Sequence, residues 1–358
     1  MKWLIAVGVL VLIGIGVLFV GGASPVIVVA PETVFHWGPL DVTNTMFTSW
    51  FVVAFLVILA LAVRPRLSVV PAGFSGAVEA AVEAFYNLVV QVAGEQNGRR
   101  FFPVVATIFF FILTSNYFGL LPINNIVGLS EPNFGDKQAA MSQTTLAGID
   151  LAYIPLTPDQ IDIGEGDAPY VEYDGARVPL ATDDHDEDSS SESASEGTHA
   201  EGEVTGFSGL IAPYFRSVMT DVNAPLAIAI FSFIFVEFWG LQSLGVGYLK
   251  KFFNFGKLLR GDLLGGLIDV FVGVLEFVSE LSRMVSFTFR LFGNIFAGEV
   301  LLLMMTFLVP FVLVDVFYGL ELFVGLVQAF VFAMLTLVFA VTAVTHHSDD
   351  HHEGEGAH

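Results

Sequence analysis

From Leu263 to Leu308 the sequence contains no proline, and its only paired turn residues are Gly265 and Gly266 at the start. A continuous helix over this stretch would measure about 70 Å, more than twice the roughly 30 Å hydrocarbon core of a bilayer. The stretch is therefore either two membrane spans with an unmarked turn or one very long, strongly tilted helix. Because no turn signal occurs in its middle, one helix is favoured.

The composition indicates a polytopic membrane protein. The chain of 358 residues is 54% hydrophobic and only 14% charged, and several apolar runs approach the length that crosses a bilayer. The net charge of -22 is local, since 18 of the 36 acidic residues lie between Glu131 and Glu203. This distribution argues against a nucleic-acid partner. The absence of cysteine excludes disulfides and cysteine metal sites.

The N-terminal third alternates apolar and polar segments and begins an all-α fold with about five to six transmembrane helices. Residues 1–23 are a hydrophobic segment, either a signal peptide or an uncleaved anchor, of which the anchor is favoured. Residues 24–125 carry the first membrane helices. Within them, 73–97 places a polar residue at every fourth position, which predicts an amphipathic helix on the membrane surface.

The remaining regions are an acidic loop, a second set of membrane helices and a polar tail. The loop at 126–205 ends in an Asp-, Glu- and Ser-rich run that cannot bury a core, so it is expected to be partly disordered. Its acidic residues lack the spacing of a calcium-binding loop, and no metal site is predicted. Residues 206–345 contain two long, strongly tilted C-terminal helices, and 346–358 form the tail.

Basic residues set the predicted orientation. They cluster at 64–66, 99–100 and 250–260, and such clusters mark the cytoplasmic side of a membrane. The acidic loop is then extracytoplasmic, and the C-terminus is cytoplasmic.

Arg290 is the most costly residue in the long helix. It lies among Phe, Val, Leu and Gly, and a guanidinium keeps its charge because its pKa is above about 12. At the centre of a bilayer it costs at least about 2.5–3.5 kcal/mol. A functional role is therefore expected.

Rare polar residues of the two C-terminal helices match in depth when they are counted from Pro310. Glu299 and Glu321 are each eleven residues from this proline, while Arg290 and Gln328 are 20 and 18 residues away. If the helices pack antiparallel, the two carboxylates share one depth and Arg290 shares another with Gln328.

Helical rotation separates these groups further. At about 100° per residue, Arg290 and Asn294 share a face with Gly293 and Ala297, whereas Glu299 lies on the opposite side. The small residues would let another helix approach closely.

A second polar stripe precedes Arg290. Asp269, Glu276 and Arg283 recur every seven residues with Glu280 nearby, on a line within roughly 40° of Arg290. We thus expect an outer track through Glu299 and Glu321 and an inner track through Glu276 and Glu280, divided by Arg290. Beside this fixed charge, a carboxylate on a mobile partner would release a proton to one side and reload from the other.

Arg290-Leu-Phe-Gly-Asn-Ile-Phe-Ala-Gly-Glu299 closely resembles the R-L-F-G-N-x-x-A-G-E signature of subunit a of F-type ATP synthase. Similar matches run in order along the chain at Asn116–Pro122, Asp221–Asn223, Gly247–Leu249, Leu281–Ser286 and Gln328–Phe330. The resemblance covers roughly residues 36–125 and 205–345.

The resemblance implies roles for the matched positions. Arg290 would be the essential arginine facing the c-ring carboxylate, with Asn294 and Gln328 at that interface. Glu299 and Glu321 would belong to the outer half-channel, and Glu276 to the inner one.

The match is weaker for Asn116, Asp221 and Asn223 as site residues. Gly119 departs from relatives that carry an acid there, so Asp221 or other groups would serve the outer entrance.

The implied protein is the stator of the F0 sector, a subunit of an H⁺-transporting two-sector ATPase in the cell inner (plasma) membrane. Its partners would be the c-ring, the peripheral-stalk subunit b, the other F0F1 subunits and lipid. The ion would be the proton, with sodium left open. No phosphate-binding loop occurs, which agrees with a subunit without nucleotide chemistry or cofactor.

Two other classes of membrane protein are the alternatives to this interpretation. A cation-coupled secondary transporter would show paired inverted repeats with interrupted helices, and the sequence has none. A membrane-anchored binding protein working through the acidic loop would leave Arg290 without a purpose.

Overall fold

A computed structural model describes residues 30–38, 40–66, 73–121, 206–245, 263–309 and 312–345, six short strands between 128 and 179, and isolated positions elsewhere. Most of 1–23, all of 180–205 and the tail 346–358 lie outside the described residues. The predictions of an anchor, a disordered run and a polar cytoplasmic tail fall on these segments.

The chain divides into two compact units. The first comprises Met1–Phe47, Leu121–Arg216 and Val300–Tyr318. The second comprises Thr48–Leu120, Ser217–Glu299 and Gly319–His358. All predicted site residues belong to the second unit.

Five helices among the described residues are long and apolar enough to cross a membrane, which confirms the all-α polytopic class. Their bounds are α1 Asn44–Val63, α2 Gly73–Gly119, α3 Asn223–Leu244, α4 Leu263–Leu308 and α5 Val312–Thr345.

Short antiparallel strands occupy the first unit. Strands β1 (Thr33–Trp37) and β2 (Leu40–Thr43) form a hairpin directly before α1. The acidic loop contributes six more strands: β3 Gly128–Glu131, β4 Lys137–Leu146, β5 Ile149–Tyr153, β6 Gln160–Asp162, β7 Tyr170–Tyr173 and β8 Ala176–Pro179. Strand β9, Gly206–Pro213, follows the loop. Strands β5, β3, β9, β4 and β6 pair in that order, with a further β4–β5 pairing, and β7 pairs with β8.

Helix α2 is a hairpin of two arms that reverses at Gly94. The Phe85 and Phe109 rings stack with centroids 4.3 Å apart, although 24 residues of straight helix would separate them by about 36 Å. Gly94 allows the reversal because its φ of 76° and ψ of 166° belong to a region that is essentially restricted to glycine. The first arm corresponds to the predicted amphipathic helix over 73–97, and its position at the membrane surface stays a prediction.

The core of the second unit forms where the second arm of α2 meets α3 and α5. Phe101 packs on Trp239 with ring centroids 4.4 Å apart. On α5, Ala329, Ala333 and Ala340 are completely buried. Small side chains at these positions let neighbouring helix backbones approach closely.

Helix α4 is continuous for 46 residues, which confirms the choice of one helix over two spans. It ends where the backbone N–H of Val309 bonds to the Met305 carbonyl, and α5 begins after Pro310. Leu267, Phe271 and Phe289 on α4 are each more than half exposed. Large apolar side chains in such numbers indicate that lipid or a partner helix covers this element.

We predict that Gly94→Ala destabilises the subunit by about 1–3 kcal/mol, because a Cβ is strained in that backbone conformation. The measurement is the midpoint of thermal loss of folded subunit in detergent, followed by size-exclusion chromatography. Gly319→Ala is the matched control, since a Cβ at that helical position meets nothing within 4 Å. An equal midpoint for the two variants would contradict the assigned role of Gly94.

Candidate functional site

Arg290 lies on an open face of α4. Its side chain is exposed, and so are those of Asn294 and Ala297 on the same face. The guanidinium carbon lies 5.9 Å from the ring centroid of Phe287, and within the described part of the chain Arg290 makes no ion pair. A permanent charge is therefore presented outward from the helix, with small and amide side chains beside it.

Asn294 joins this face to α5. Its Nδ2 donates a hydrogen bond to Oε1 of Gln328 at 2.9 Å, and Gln328 is otherwise buried. Counting from Pro310 places Gln328 opposite residue 292, half a turn from both Arg290 and Asn294. The structure pairs it with Asn294 rather than Arg290, whose side chain is exposed.

Glu321 and Glu299 share one depth, as predicted. Glu321 is buried on α5, and a Cβ placed on Gly298 would overlap its carboxyl group. Glu299 is the next residue and is half-buried on the side of α4 that faces away from the exposed Arg290. The absence of a side chain at Gly298 thus creates the space for the Glu321 carboxyl.

Asn116, from the second arm of α2, reaches the same part of α5. Its Nδ2 donates to the carbonyl of Gly325 at 3.0 Å, one turn before Gln328. Among the described residues the buried Asn116 Oδ1 and Gln328 Nε2 have no hydrogen-bond partner. Buried polar atoms of this kind are normally satisfied by internal water.

Gly119, which stands where some relatives carry an acid, lies against Ser217 in the structure. A Cβ at this position would lie 2.5 Å from the hydroxyl of Ser217, which therefore occupies the space of a larger side chain. The Ser217 hydroxyl is buried and has no hydrogen-bond partner among the described residues.

Asp221 and Asn223 stand at the start of α3. The backbone N–H of Asn223 donates to Asp221 Oδ1 at 3.0 Å, and that of Ala224 donates to the Asp221 carbonyl at 3.3 Å. Asp221 is buried and Asn223 is exposed. Asp221 therefore has a local capping role that its sequence motif alone did not reveal.

Glu280 and Arg283 form an ion pair on the preceding turns of α4. Arg283 Nη1 lies 2.6 Å from Glu280 Oε2, and the guanidinium stacks 3.9 Å above the ring of Phe339. Glu280 is only 3% exposed. Glu276, one turn earlier, is half-buried.

A small cavity lies next to this ion pair, between α3, α4 and α5. Its volume is about 20 Å³, and its lining includes Ser232, Glu280, Arg283 and Phe287. That is room for roughly one water molecule. Phe287 is also the ring beneath Arg290, so the cavity reaches the turn that carries the exposed guanidinium.

Glu237 is a further candidate, one that the sequence motifs do not single out. It is a carboxylate inside the apolar helix α3, which is itself a signal of function in a membrane span. Tyr248 Oη donates to Glu237 Oε1 at 3.2 Å. The Tyr248 ring is buried against Gly240, where a Cβ would lie 2.8 Å from it.

Comparison with known proteins identifies the family. The model of the family described as "ATP synthase A chain" matches residues 46–340. The chain belongs to this family. The matched range contains every site residue described above.

Curated relatives are similar in sequence to this chain over most of their own length. ATP synthase subunit a of Moorella thermoacetica is 23% identical over 89% of this chain and 99% of its own. Its counterpart in Gloeobacter violaceus is 26% identical over 88% of this chain and 89% of its own. In Campylobacter jejuni, subunit a is 34% identical over 40% of this chain and 60% of its own.

Adding a side chain at Gly298 tests whether the Glu321 carboxyl packs closely against this position. Gly298→Ala should destabilise the subunit by about 1–3 kcal/mol, because the added methyl overlaps the carboxyl of a packed helix. Glu321→Asp in the same chain should restore part of the loss, since it withdraws the carboxyl by one methylene. Thermal midpoints of the two variants in detergent give the comparison, and the absence of any rescue would contradict the contact.

Proposed function

We propose that this chain is subunit a of the F0 sector of a rotary ATP synthase. It acts as the stator that provides two proton half-channels and the arginine facing the c-ring carboxylate. The observation that carries the proposal is Arg290: a permanent cation, exposed on an open face of a membrane helix, with no ion pair among the described residues.

The free-energy cost of this charge in a bilayer indicates which chemical group the partner of Arg290 must carry. A cation in a bilayer is stabilised by a carboxylate brought close to it, and an opposite charge favours the ionised form of that carboxylate. A ring carboxylate arriving at Arg290 would thus give up its proton, and one leaving for lipid would have to take a proton up. Ala297 and Gly293 on this side would let the ring helix approach.

The outer half-channel in this proposal runs along the α4–α5 interface. Glu299 and Glu321 lie at one depth on the side of α4 away from Arg290, and Asn116 and Gln328 follow with buried polar atoms suited to water. Asp221 and Asn223 would stand near its entrance.

The inner half-channel would follow the preceding turns of α4. Glu276 and Glu280 are its carboxylates, and the cavity beside Glu280 extends to Phe287, below Arg290. Because Arg290 separates the two routes, neither crosses the membrane alone. Its field also opposes direct passage of a proton between them.

A stator needs fixed contacts as well as a moving one. The c-ring would pass over the open face of α4, while subunit b and the other F0F1 subunits would hold the chain in place. The chain would be a multi-pass protein of the plasma membrane with the acidic loop outside. It would serve the H⁺-transporting ATPase without binding nucleotide itself.

Arg290→Ala should lower proton-driven ATP synthesis at least about 100-fold, by analogy with the loss of a charge-stabilising group in other active sites. The subunit should still assemble, because the exposed side chain holds no other element in place. ATP synthesis in membrane vesicles energised by a respiratory substrate gives the measurement.

Arg99→Ala provides the control for Arg290→Ala. Arg99 makes an exposed ion pair with Glu95 at 2.8 Å, and such pairs contribute about 0–1 kcal/mol. Synthesis should be normal in this variant. Normal synthesis in Arg290→Ala as well would reject the mechanism.

Replacing both Glu299 and Glu321 by Gln should reduce passive proton entry from the outer side at least about tenfold, since proton-transferring groups contribute about 10²–10⁴-fold to rates. The readout is dye-reported proton flux through F0 under an imposed potassium diffusion potential. Asp315→Asn, an exposed carboxylate on the first turn of α5, is the control. Undiminished flux in the double variant would remove the outer assignment.

A further inference from the structure

Glu237 is a half-buried carboxylate in a membrane helix and has no part in the two half-channels proposed so far. It lies in α3, seven residues before the helix ends at Leu244, which is about 10 Å of helix from that end. Carboxylates in membrane helices are expensive and usually belong to an ion or water path. The side chain is half-buried, whereas the neighbouring Phe238 is 54% exposed.

Tyr248 holds the Glu237 carboxylate by a hydrogen bond from its hydroxyl. Burial raises the pKa of Tyr248 most, followed by the charge of Glu237 and its hydrogen bond, then by the charge of Glu280, while Arg283 lowers it. The hydrogen bond of the phenol goes to Glu237 of α3, and the charges of Glu280 and Arg283 on α4 act on it only at longer range.

The cavity reaches Val236, the residue before Glu237, but Glu237 itself is not in its lining. Ser232 and Val236 of α3 line it together with Glu280, Arg283 and Phe287 of α4. One water there would lie between the Glu280–Arg283 pair and the turn that bears Arg290. The sequence after Tyr248 contains Lys250 and Lys251, which mark the cytoplasmic side by the positive-inside rule.

We propose that Glu237 is the terminal proton carrier of the inner half-channel, positioned by Tyr248 and fed through the cavity beside Glu280 and Arg283. This inference rests on the proposed function as subunit a. It assigns the inner exit to α3, whereas the family-matched residues place the inner path on α4 alone.

The proton balance of the step is simple. A proton released by the ring carboxylate passes to the cavity water, and the resulting hydronium protonates the Glu237 carboxylate. The carboxylic acid then gives the proton to cytoplasmic water and returns to its anionic form. Tyr248 keeps its own proton throughout and holds the carboxylate oxygen by donating to it, and Arg283 stays charged beside Glu280.

The test distinguishes a Glu237 that transfers protons from a Glu237 that only accepts the hydrogen bond of Tyr248. Glu237→Gln keeps an oxygen that accepts the Tyr248 hydrogen bond but cannot carry a proton, and Glu237→Asp keeps the carboxylate. Passive proton flux through F0 should fall at least about fivefold in the Gln variant, since acid–base groups contribute about 10²–10⁴-fold. The Asp variant should retain most of the flux.

Glu95→Gln is the matched control, because Glu95 is an exposed carboxylate ion-paired with Arg99 on α2. Its flux should equal that of the unchanged complex, with all values normalised to subunit a in the membrane. Wild-type flux in Glu237→Gln overturns the inference. A greater loss in Tyr248→Phe than in Glu237→Gln also overturns it, since the hydroxyl rather than the carboxylate would then be essential.

A second measurement does not depend on flux. The chain contains no cysteine, so Glu237→Cys and Phe238→Cys each introduce the only thiol of the subunit. In the assembled complex, a charged thiolate-specific reagent added from the cytoplasmic side should label position 237 at least about tenfold faster, because the thiolate forms only where water reaches. Equal labelling rates overturn the inference.

Failure of the inference and failure of the proposed function give different results. If Arg290→Ala abolishes synthesis while Glu237→Gln conducts normally, only the role of Glu237 is rejected. If Arg290→Ala synthesises ATP normally, the proposed function is rejected, whatever Glu237 does.

Discussion

The charge of Arg290 is the constraint on which the rest of the site depends. A guanidinium cannot become neutral inside a membrane helix, so its cost must be offset by a partner. Among the described residues no carboxylate of the chain serves that purpose. The acids of the second unit lie instead to either side of it, at Glu299 and Glu321 in one direction and Glu280 in the other. In the proposed function, the carboxylate that compensates this cation is carried by the c-ring.

Close helix packing sets the positions of those acids. The missing side chain of Gly298 makes room for the carboxyl of Glu321, and the Asn294–Gln328 hydrogen bond fixes the register of α4 against α5. The Gly298 contact is buried between the two helices, whereas Asn294 lies on the exposed face of Arg290 and reaches α5 from there. The same two helices thus present buried polar groups between them and an exposed cation on one face.

The proposed inner half-channel differs in its contacts from the proposed outer one. Glu280 is held by Arg283, which is itself stacked on Phe339, so the charges there are neutralised locally. Glu237 and Tyr248 add a second carboxylate and a hydroxyl from another element. A proton path needs groups that accept and release protons at successive distances, and contributions from two helices supply these better than one ion pair does.

The sequence by itself determined the class of protein, the single long helix, the depth match of Glu299 with Glu321 and the open face around Arg290. These features follow from hydropathy, from the absence of proline and from helical periodicity, all of which are local. Tertiary structure decided the reversal at Gly94, the pairing of Gln328 with Asn294, the burial of Ser217 over Gly119 and the bond from Tyr248 to Glu237. Each of these depends on which side chains meet across separate elements, and a one-dimensional pattern carries no information about such contacts until the helices are packed.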